Sequence, residues 1–240
     1  YIILNIMGND KTLFQSDKEL FAIAKAELFT ALVGDALDKL GYLHQFLPQK
    51  LKPLQADMVV VGRAMTVLEA DVFEETSAQP HNPLMNKPFG LMFEALDDLK
   101  ADEVYVCAGA SHNYALWGGL MSTRALKLKA AGAVVYGFSR DTNEILNLQF
   151  PCFSLGSFAQ DQGPRGKVID YRVPIEIEGI RIAPGDIIFG DRDGVVVVPP
   201  AVEGQVFTMA IEKARGEKLV KQALEEGMST VDAFNKFGIM

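Results

Sequence analysis

The order of segments along the chain predicts an α/β protein with mixed parallel and antiparallel strands, and three observations carry that expectation. Between residues 89 and 155, helical patterns alternate with β-branched apolar runs. From residue 168 onward, short apolar runs are joined by turn residues, and a long helical pattern follows from residue 201. Strand–helix alternation favours parallel pairing, because a crossover helix returns the chain to the same end of the sheet. Closely spaced runs around Gly-containing turns favour hairpins.

Taken in order, residues 17 to 41 read as helix. Asp17 is the expected N-cap, Phe21, Ala24, Leu28 and Leu32 share one stripe, and Gly41 stops a second short piece ending in Asp38-Lys39-Leu40. Residues 58 to 68 are β-branched and apolar, as in a buried strand. Residues 69 to 88 contain Pro80, Pro83 and Pro88 and read as a long loop, a kind of segment that often forms lids or binding loops. Phe89 to Leu99 predicts a helix and Glu103 to Ala108 a strand. Gly118 to Ala131 predicts a helix with Met121, Ala125 and Leu128 inward, stopped by Gly132. Ala133 to Phe138 reads as a strand, Thr142 to Leu148 as a short helix and Cys152 to Leu155 as another strand. Ile175–Ile177 and Ile180–Ile182 flank Gly179, and Ile187–Phe189 and Val195–Val198 flank Asp191-Arg192-Asp193-Gly194, giving two antiparallel hairpins. Residues 201 to 226 form a long helix and Thr230 to Phe237 a last short one. With no internal repeat or linker, one domain over residues 1–240 is the simplest organisation, with a C-terminal helical extension at 201–240.

Composition narrows the chemistry. Against 31 Asp+Glu stand 23 Lys+Arg, a net charge of −8 that argues against a nucleic-acid backbone as partner. A hydrophobic share of 49% excludes wholesale disorder. His44, His81 and His112 are the only histidines and lie far apart, so a metal here falls to carboxylates and water. Cys107 and Cys152 sit in apolar runs without CxxC spacing, as small buried hydrophobes in a reducing compartment do. No stretch reaches the ~18 apolar residues of a membrane span, and no charged start leads into a long apolar run. The expectation is a soluble, cytoplasmic protein with no membrane partner.

The chemistry-bearing stretch is Gly109 to Met121, where a strand enters a small-residue loop and then a helix beginning Gly118-Gly119. Free N–H groups at a helix start bind anions, and glycine lets a ligand approach the backbone. Twenty residues separate Gly119 from Arg140, which with Asp141 follows the next strand. Ligands of α/β sheets sit at the carboxyl ends of strands. Arg140 offers a bidentate fork for a carboxylate, and Asp141 offers oxygens to a hard divalent ion that keeps most of its waters. The competing reading has Asp141 capping the following helix and Arg140 pairing with a surface acid. Other motifs carry less. Ser111-His112 lacks the final Gly of a nucleophile elbow, although His112 remains a candidate pocket residue. Lys127 and Lys129 read as a solvated face, against Schiff-base chemistry. Asp191 to Gly194 reads as a hairpin turn, since no calcium-ligand series follows it.

These residues together resemble the RraA-like family, which includes the class II 4-hydroxy-4-methyl-2-oxoglutarate (HMG) aldolases. The resemblance spans most of the chain. It rests on Gly34-Asp35-Ala36-Leu37-Asp38-Lys39-Leu40-Gly41, Gly62-Arg63-Ala64, Trp117-Gly118-Gly119-Leu120-Met121, Ala131-Gly132 leading to Arg140-Asp141, and Gly185-Asp186 with Asp191 to Val198. It implies a swivelling β/β/α domain assembled as a trimer or hexamer. The activity implied is that of a Mg2+- or Mn2+-dependent lyase, cleaving or decarboxylating a small 2-keto acid (HMG or oxaloacetate) through a pyruvate enolate. By matching positions, Gly118, Gly119, Leu120 and Met121 supply backbone donors to the substrate, Arg140 binds and polarises it, and Asp141 holds the metal. Glu217, with Glu212 second, matches an acid that the family brings from a neighbouring subunit. One departure stands out: active aldolases of the family carry Asp where this chain has Gly119, a loss expected to weaken or shift metal binding. His112, Asn113, Glu74 and Glu75 are the loop groups available to compensate. The resemblance also admits a non-catalytic role, since some members bind and inhibit an RNA-processing enzyme, and a −8 surface suits a basic partner. Members have also been labelled menaquinone-pathway methyltransferases, but no GxGxG turn after a first strand supports that here.

Overall fold

The computed structural model describes residues 13–72 and 82–239. Its first helix, α1 (Asp17–Glu27), is capped one residue earlier than expected, by Ser16 and not Asp17: the Ser16 hydroxyl accepts the Glu19 N–H at 3.3 Å. The predicted 17–41 helix breaks at Leu28 and Phe29, both extended, and resumes as α2 (Thr30–Lys39). Phe29 provides no side-chain cap for α2. Asp191 provides it from far along the chain, accepting the Thr30 N–H at 2.7 Å and the Thr30 hydroxyl at 2.8 Å. The Asp191 carboxylate is thereby spent on a helix start and its own turn, as the hairpin reading requires.

Next come β1 (Lys52–Pro53), β2 (Val60–Asp71), a 3-10 turn (Pro83–Asn86), α3 (Met92–Asp97), β3 (Glu103–Ala108), β4 (Ala115–Trp117), α4 (Gly119–Lys127) and β5 (Gly132–Val135). They are followed by β6 (Phe138–Ser139), α5 (Thr142–Asn147), β7 (Cys152–Ser154), β8 (Gly166–Tyr171), β9 (Ile175–Ile177) and β10 (Ile180–Ile182). The chain continues through β11 (Ile187–Gly190), β12 (Val195–Val198), α6 (Glu203–Glu225) and α7 (Thr230–Phe237). Three expectations need correction. β2 runs on to Asp71 because β8, unforeseen in the sequence, pairs with its far half. α3 starts at Met92, since Phe89 and Leu91 exchange backbone hydrogen bonds with Val168 and are drawn out of the helix. The single strand expected over 133–138 is two, and β6 belongs to a different sheet from β5.

The main sheet has the order β1-β7-β5-β3-β2-β11-β12, parallel through β2, β3, β5 and β7 and antiparallel elsewhere. It curls until its edges nearly meet. The Leu47 N–H donates to the Val195 carbonyl at 2.8 Å and the Val197 N–H to the Gln45 carbonyl at 2.9 Å, while a few residues on, β1 pairs with β7. One segment thus bridges both edges of a nearly closed barrel. Side chains alternate across the wall. Val104 and Val106 point into a core closed by Ile175, Ile177 and Ile182 of the β9–β10 hairpin. Tyr105 and Cys107 point out beneath α3, α4 and α5, and β11 and β12 turn Phe189 and Val196 towards α1, α2 and α6. Both cysteines are buried free thiols, and burial pushes the Cys152 thiol up to about 12. No helix among the described residues is long and apolar enough to cross a membrane.

Gly62 marks a tight crossing in this wall. A Cβ there would overlap the Asp102 carbonyl oxygen and lie 3.0 Å from the Ala131 Cβ. Its neighbour Arg63 ties α1 to the start of α6 through Asp17 (2.6 Å) and Glu203 (2.5 Å). Gly62→Ala is therefore expected to lower stability by about 1–3 kcal/mol, read as a lower urea midpoint at unchanged slope.

Candidate active site

A second, small sheet builds the site. β4 and β6 pair in parallel, and the Arg140 N–H donates to the Trp117 carbonyl at 2.9 Å. Neither short strand is marked in the sequence; each exists through the other. Trp117 is buried, its indole N–H donating to Ser122 Oγ at 2.7 Å and its ring stacked on Phe150 at 5.8 Å. That anchor holds the start of α4, Gly118-Gly119, beside Arg140-Asp141. The four predicted positions come together.

Asp141 adopts a left-handed backbone (φ 57°, ψ 37°), a conformation that costs a non-glycine residue about 1–3 kcal/mol. It occupies the N-cap position of α5, yet its side chain makes no cap there. Its carboxylate turns across the cleft instead, and Oδ2 accepts the Gly119 N–H at 3.1 Å. The capping alternative is thus half right: Asp141 stands at one helix start and serves the other, where the α4 N-terminus favours negative charge. One of the backbone donors expected for substrate is consequently engaged within the chain. Gly118 has to be small, because a Cβ there would lie 2.9 Å from Asp141 Oδ2.

Arg140 does pair with a surface acid, which is Asp161, at 2.9 Å. Its Nε also lies 4.0 Å from Asp141 Oδ2. Both partners of the Arg140–Asp161 pair are about two-fifths exposed, so the contact is worth little and yields readily to another carboxylate. Arg140 and Asp141 line a cleft of about 250 Å³, whose far wall is Ser157 and Phe158. Thr142 and Ser157 share a hydrogen bond of 2.7 Å across its floor. Gly118, Gly119, Leu120 and Met121 are not among the residues lining this cleft; Leu120 is 80% exposed and Met121 half-buried. Sequence reasoning missed Asp161 and also Glu144, a first-turn residue of α5 whose carboxylate lies against Gly119. For Glu144 a signal was present in its spacing: three residues after Asp141 in a helix start, on the same side.

The remaining candidates lie elsewhere. Glu217 is on α6, 3.6 Å from Lys213, away from this cleft within one chain. Glu212 shares that helix and is exposed. His112 packs edge-on against Tyr136 at 4.8 Å, Asn113 lines a different cavity, and Lys127 and Lys129 are exposed as expected. Glu74, Glu75 and His81 lie outside the described residues. Among the described residues, no group of three or more His, Cys, Asp or Glu gathers as a ready metal cage.

With the geometry in view, relatives can be set beside it. The family model described as RraA-like, Aldolase/RraA, matches residues 30–197, and this chain belongs to the RraA-like family. A protein of Halalkalibacterium halodurans, provisionally named a 4-hydroxy-4-methyl-2-oxoglutarate aldolase, is 31% identical over 85% of this chain and 89% of its own length. Protein DlpA of Legionella pneumophila is 28% identical over 85% of this chain, and the match spans only 31% of that longer protein. Among solved structures, an uncharacterized Pseudomonas syringae protein superimposes with a TM-score of 0.75 at 28% identity, over 92% of this chain and 98% of its own. Streptomyces coelicolor RraAS2, described as an unusual member of the RNase ES inhibitor RraA family, shares the fold. Its TM-score is 0.71 at 22% identity, over 87% of this chain and 98% of its own.

A larger cavity, about 330 Å³, opens beside Asp71 and Tyr114, but Asp71 there is satisfied by the Ser111 N–H (3.0 Å) and the Tyr114 hydroxyl (2.7 Å). Two residues before it on β2, Glu69 is fully buried, bonded by Gln162 Nε2 at 2.6 Å, and Oε1 has no partner among the described residues. Burial raises its carboxyl from 4.5 to about 8. The folded protein therefore keeps a proton that the unfolded chain releases, and stability falls as pH rises from about 4.5 to about 8. Glu69→Gln is expected to remove that slope and to raise stability at pH 8 by roughly a few kcal/mol, read in urea titrations across this window. An unchanged slope would refute the assignment.

Proposed function

We propose that this chain is a divalent-metal-dependent lyase that cleaves or decarboxylates a small 2-keto acid, of the HMG aldolase and oxaloacetate decarboxylase type. The observation that carries the reading is the juxtaposition of Arg140 and Asp141 with the Gly118-Gly119 start of α4. Membership of the family and a relative named for this activity support it.

The donor set suits a hard cation. Asp141 gives one oxygen to Gly119 and keeps the other free of hydrogen bonds among the described residues, and Arg140 is the only cation lining the cleft there. Mg2+ or Mn2+ held beside Asp141 supplies Lewis-acid polarisation of the keto oxygen. Arg140 exchanges Asp161 for the substrate carboxylate, which orients the keto acid across the cleft. The N–H groups of Leu120 and Met121, in the first turn of α4, have no partner within the helix and are available to an anion. As the carbon–carbon bond breaks, its electron pair moves onto the three-carbon keto acid and charge builds on the 2-keto oxygen. Arg140 and the helix start are in place to meet that charge as it develops. The released fragment is CO2 in a decarboxylation or, as the substrate hydroxyl gives its proton to solvent, a carbonyl compound in a retro-aldol step; a proton from solvent then returns to the pyruvate methyl carbon.

In this reading the chain works in the cytoplasm as a trimer or hexamer, and Glu217 of a neighbouring copy reaches the cleft. Exposed Leu120, next to Gly119 at the start of α4, suits cover by another copy. The second reading, a regulatory protein that docks on an RNA-processing enzyme, draws on the −8 charge and on Gly119. Purified protein assayed with oxaloacetate and with HMG should release pyruvate with Mg2+ or Mn2+ and stop on chelation. Arg140→Ala should lower the rate about 100-fold or more. A folded oligomer that turns over no 2-keto acid would leave the regulatory reading standing.

A further inference from the structure

We propose that Glu144 supplies the carboxylate that Gly119 lacks, so that Asp141 and Glu144 together hold the divalent cation of the lyase reading, on which this inference rests. The decisive feature is steric. A Cβ built on Gly119 would overlap Glu144 Oε2, and Cδ and Cγ of the same side chain crowd it as well. The space that a side chain at position 119 would enter is already filled by an acid arriving from α5. Gly119 and the placement of Glu144 are thus one feature: a residue with a Cβ at 119 would expel the carboxylate, and glycine admits it.

The backbone fixes where that acid stands. The Glu144 N–H donates to the Asp141 carbonyl at 2.9 Å, the first hydrogen bond of α5. The left-handed Asp141 sends its own carboxylate to Gly119, and the turn that follows delivers Glu144 to the same glycine. Two acids therefore flank one residue, Asp141 on its N–H and Glu144 on its α-carbon. The Glu144 carboxylate has no hydrogen-bond or ion-pair partner among the described residues, and Arg140, 4.0 Å from Asp141 Oδ2, is paired with Asp161 at 2.9 Å. Two acids on one residue share a single arginine that is already bonded to Asp161, and a dication would relieve the remaining charge. Two carboxylates with water and substrate in the remaining positions match the way Mg2+ is commonly held, and need no third protein acid. A first-turn acid that merely faces the α5 dipole would be favoured in any rotamer, without lying on Gly119.

The test is Mn2+ binding, followed by electron paramagnetic resonance of the free ion in titrations of the full chain. Wild type should bind Mn2+, and Asp141→Asn should lose it. Glu144→Gln should weaken binding by ~10–100-fold while the metal-free protein melts as wild type does. Returning the acid to the other position, in Gly119→Asp combined with Glu144→Ala, should recover affinity to within a few-fold of wild type. Glu144→Gln that binds Mn2+ like wild type, while Asp141→Asn does not, would overturn this inference and leave the lyase reading intact. So would a folded double variant as weak as Glu144→Gln. Wild type that binds no Mn2+ would sink both.

Discussion

The site hangs on one clasp: the Arg140 N–H on the Trp117 carbonyl, and the Asp141 carboxylate on the Gly119 N–H. Both bonds join the end of one chain segment to the start of another, and neither segment carries a strand of more than three residues. Strands so short have no stability of their own. What makes them persist is Trp117, locked by Ser122, Tyr105 and Phe150 in the core beneath α4. The buried indole fixes the strand end, the strand end fixes Arg140, and Asp141 is then held in a backbone conformation that few side chains adopt.

That strain has a chemical consequence. Asp141 in an ordinary helical or extended conformation would cap α5 locally, and its charge would be neutralised there. The left-handed turn redirects it to the α4 N-terminus, so its carboxylate and the Glu144 side chain both lie against Gly119. The fold uses the same substitution of distant for local partners at α2, where Asp191 replaces a missing cap. In each case a carboxylate on a loop of the sheet secures a helix start, which couples the sheet to the helices packed on it.

Much of the fold was legible because periodicity reports burial. The strand Glu103–Ala108, the hairpins around Gly179 and Asp191, and the helices at Thr142 and Thr230 stand where alternation and helical spacing put them. The break after α1, the late start of α3 and the strands β4, β6 and β8 were not legible. Each is decided by a partner far along the chain: Asp191 for Thr30, Val168 for residues 89–91, and β2 for β8. Hydrogen bonding to a distant strand leaves no period in the sequence.

The site divides in the same way. By itself the sequence determined which residue types meet: two glycines at a helix start and an Arg-Asp pair after the next strand, within a family resemblance that covers most of the chain. The resemblance also implied an acid at the position where this chain has Gly119. Only the tertiary structure decided what the pair does, because direction is a property of backbone geometry and not of residue type. It turned Asp141 away from its own helix, set Asp161 against Arg140, and laid Glu144 in the space beside Gly119. A missing side chain reads in the sequence as a loss; in three dimensions it is room, and the neighbour that fills it is found only by folding the chain.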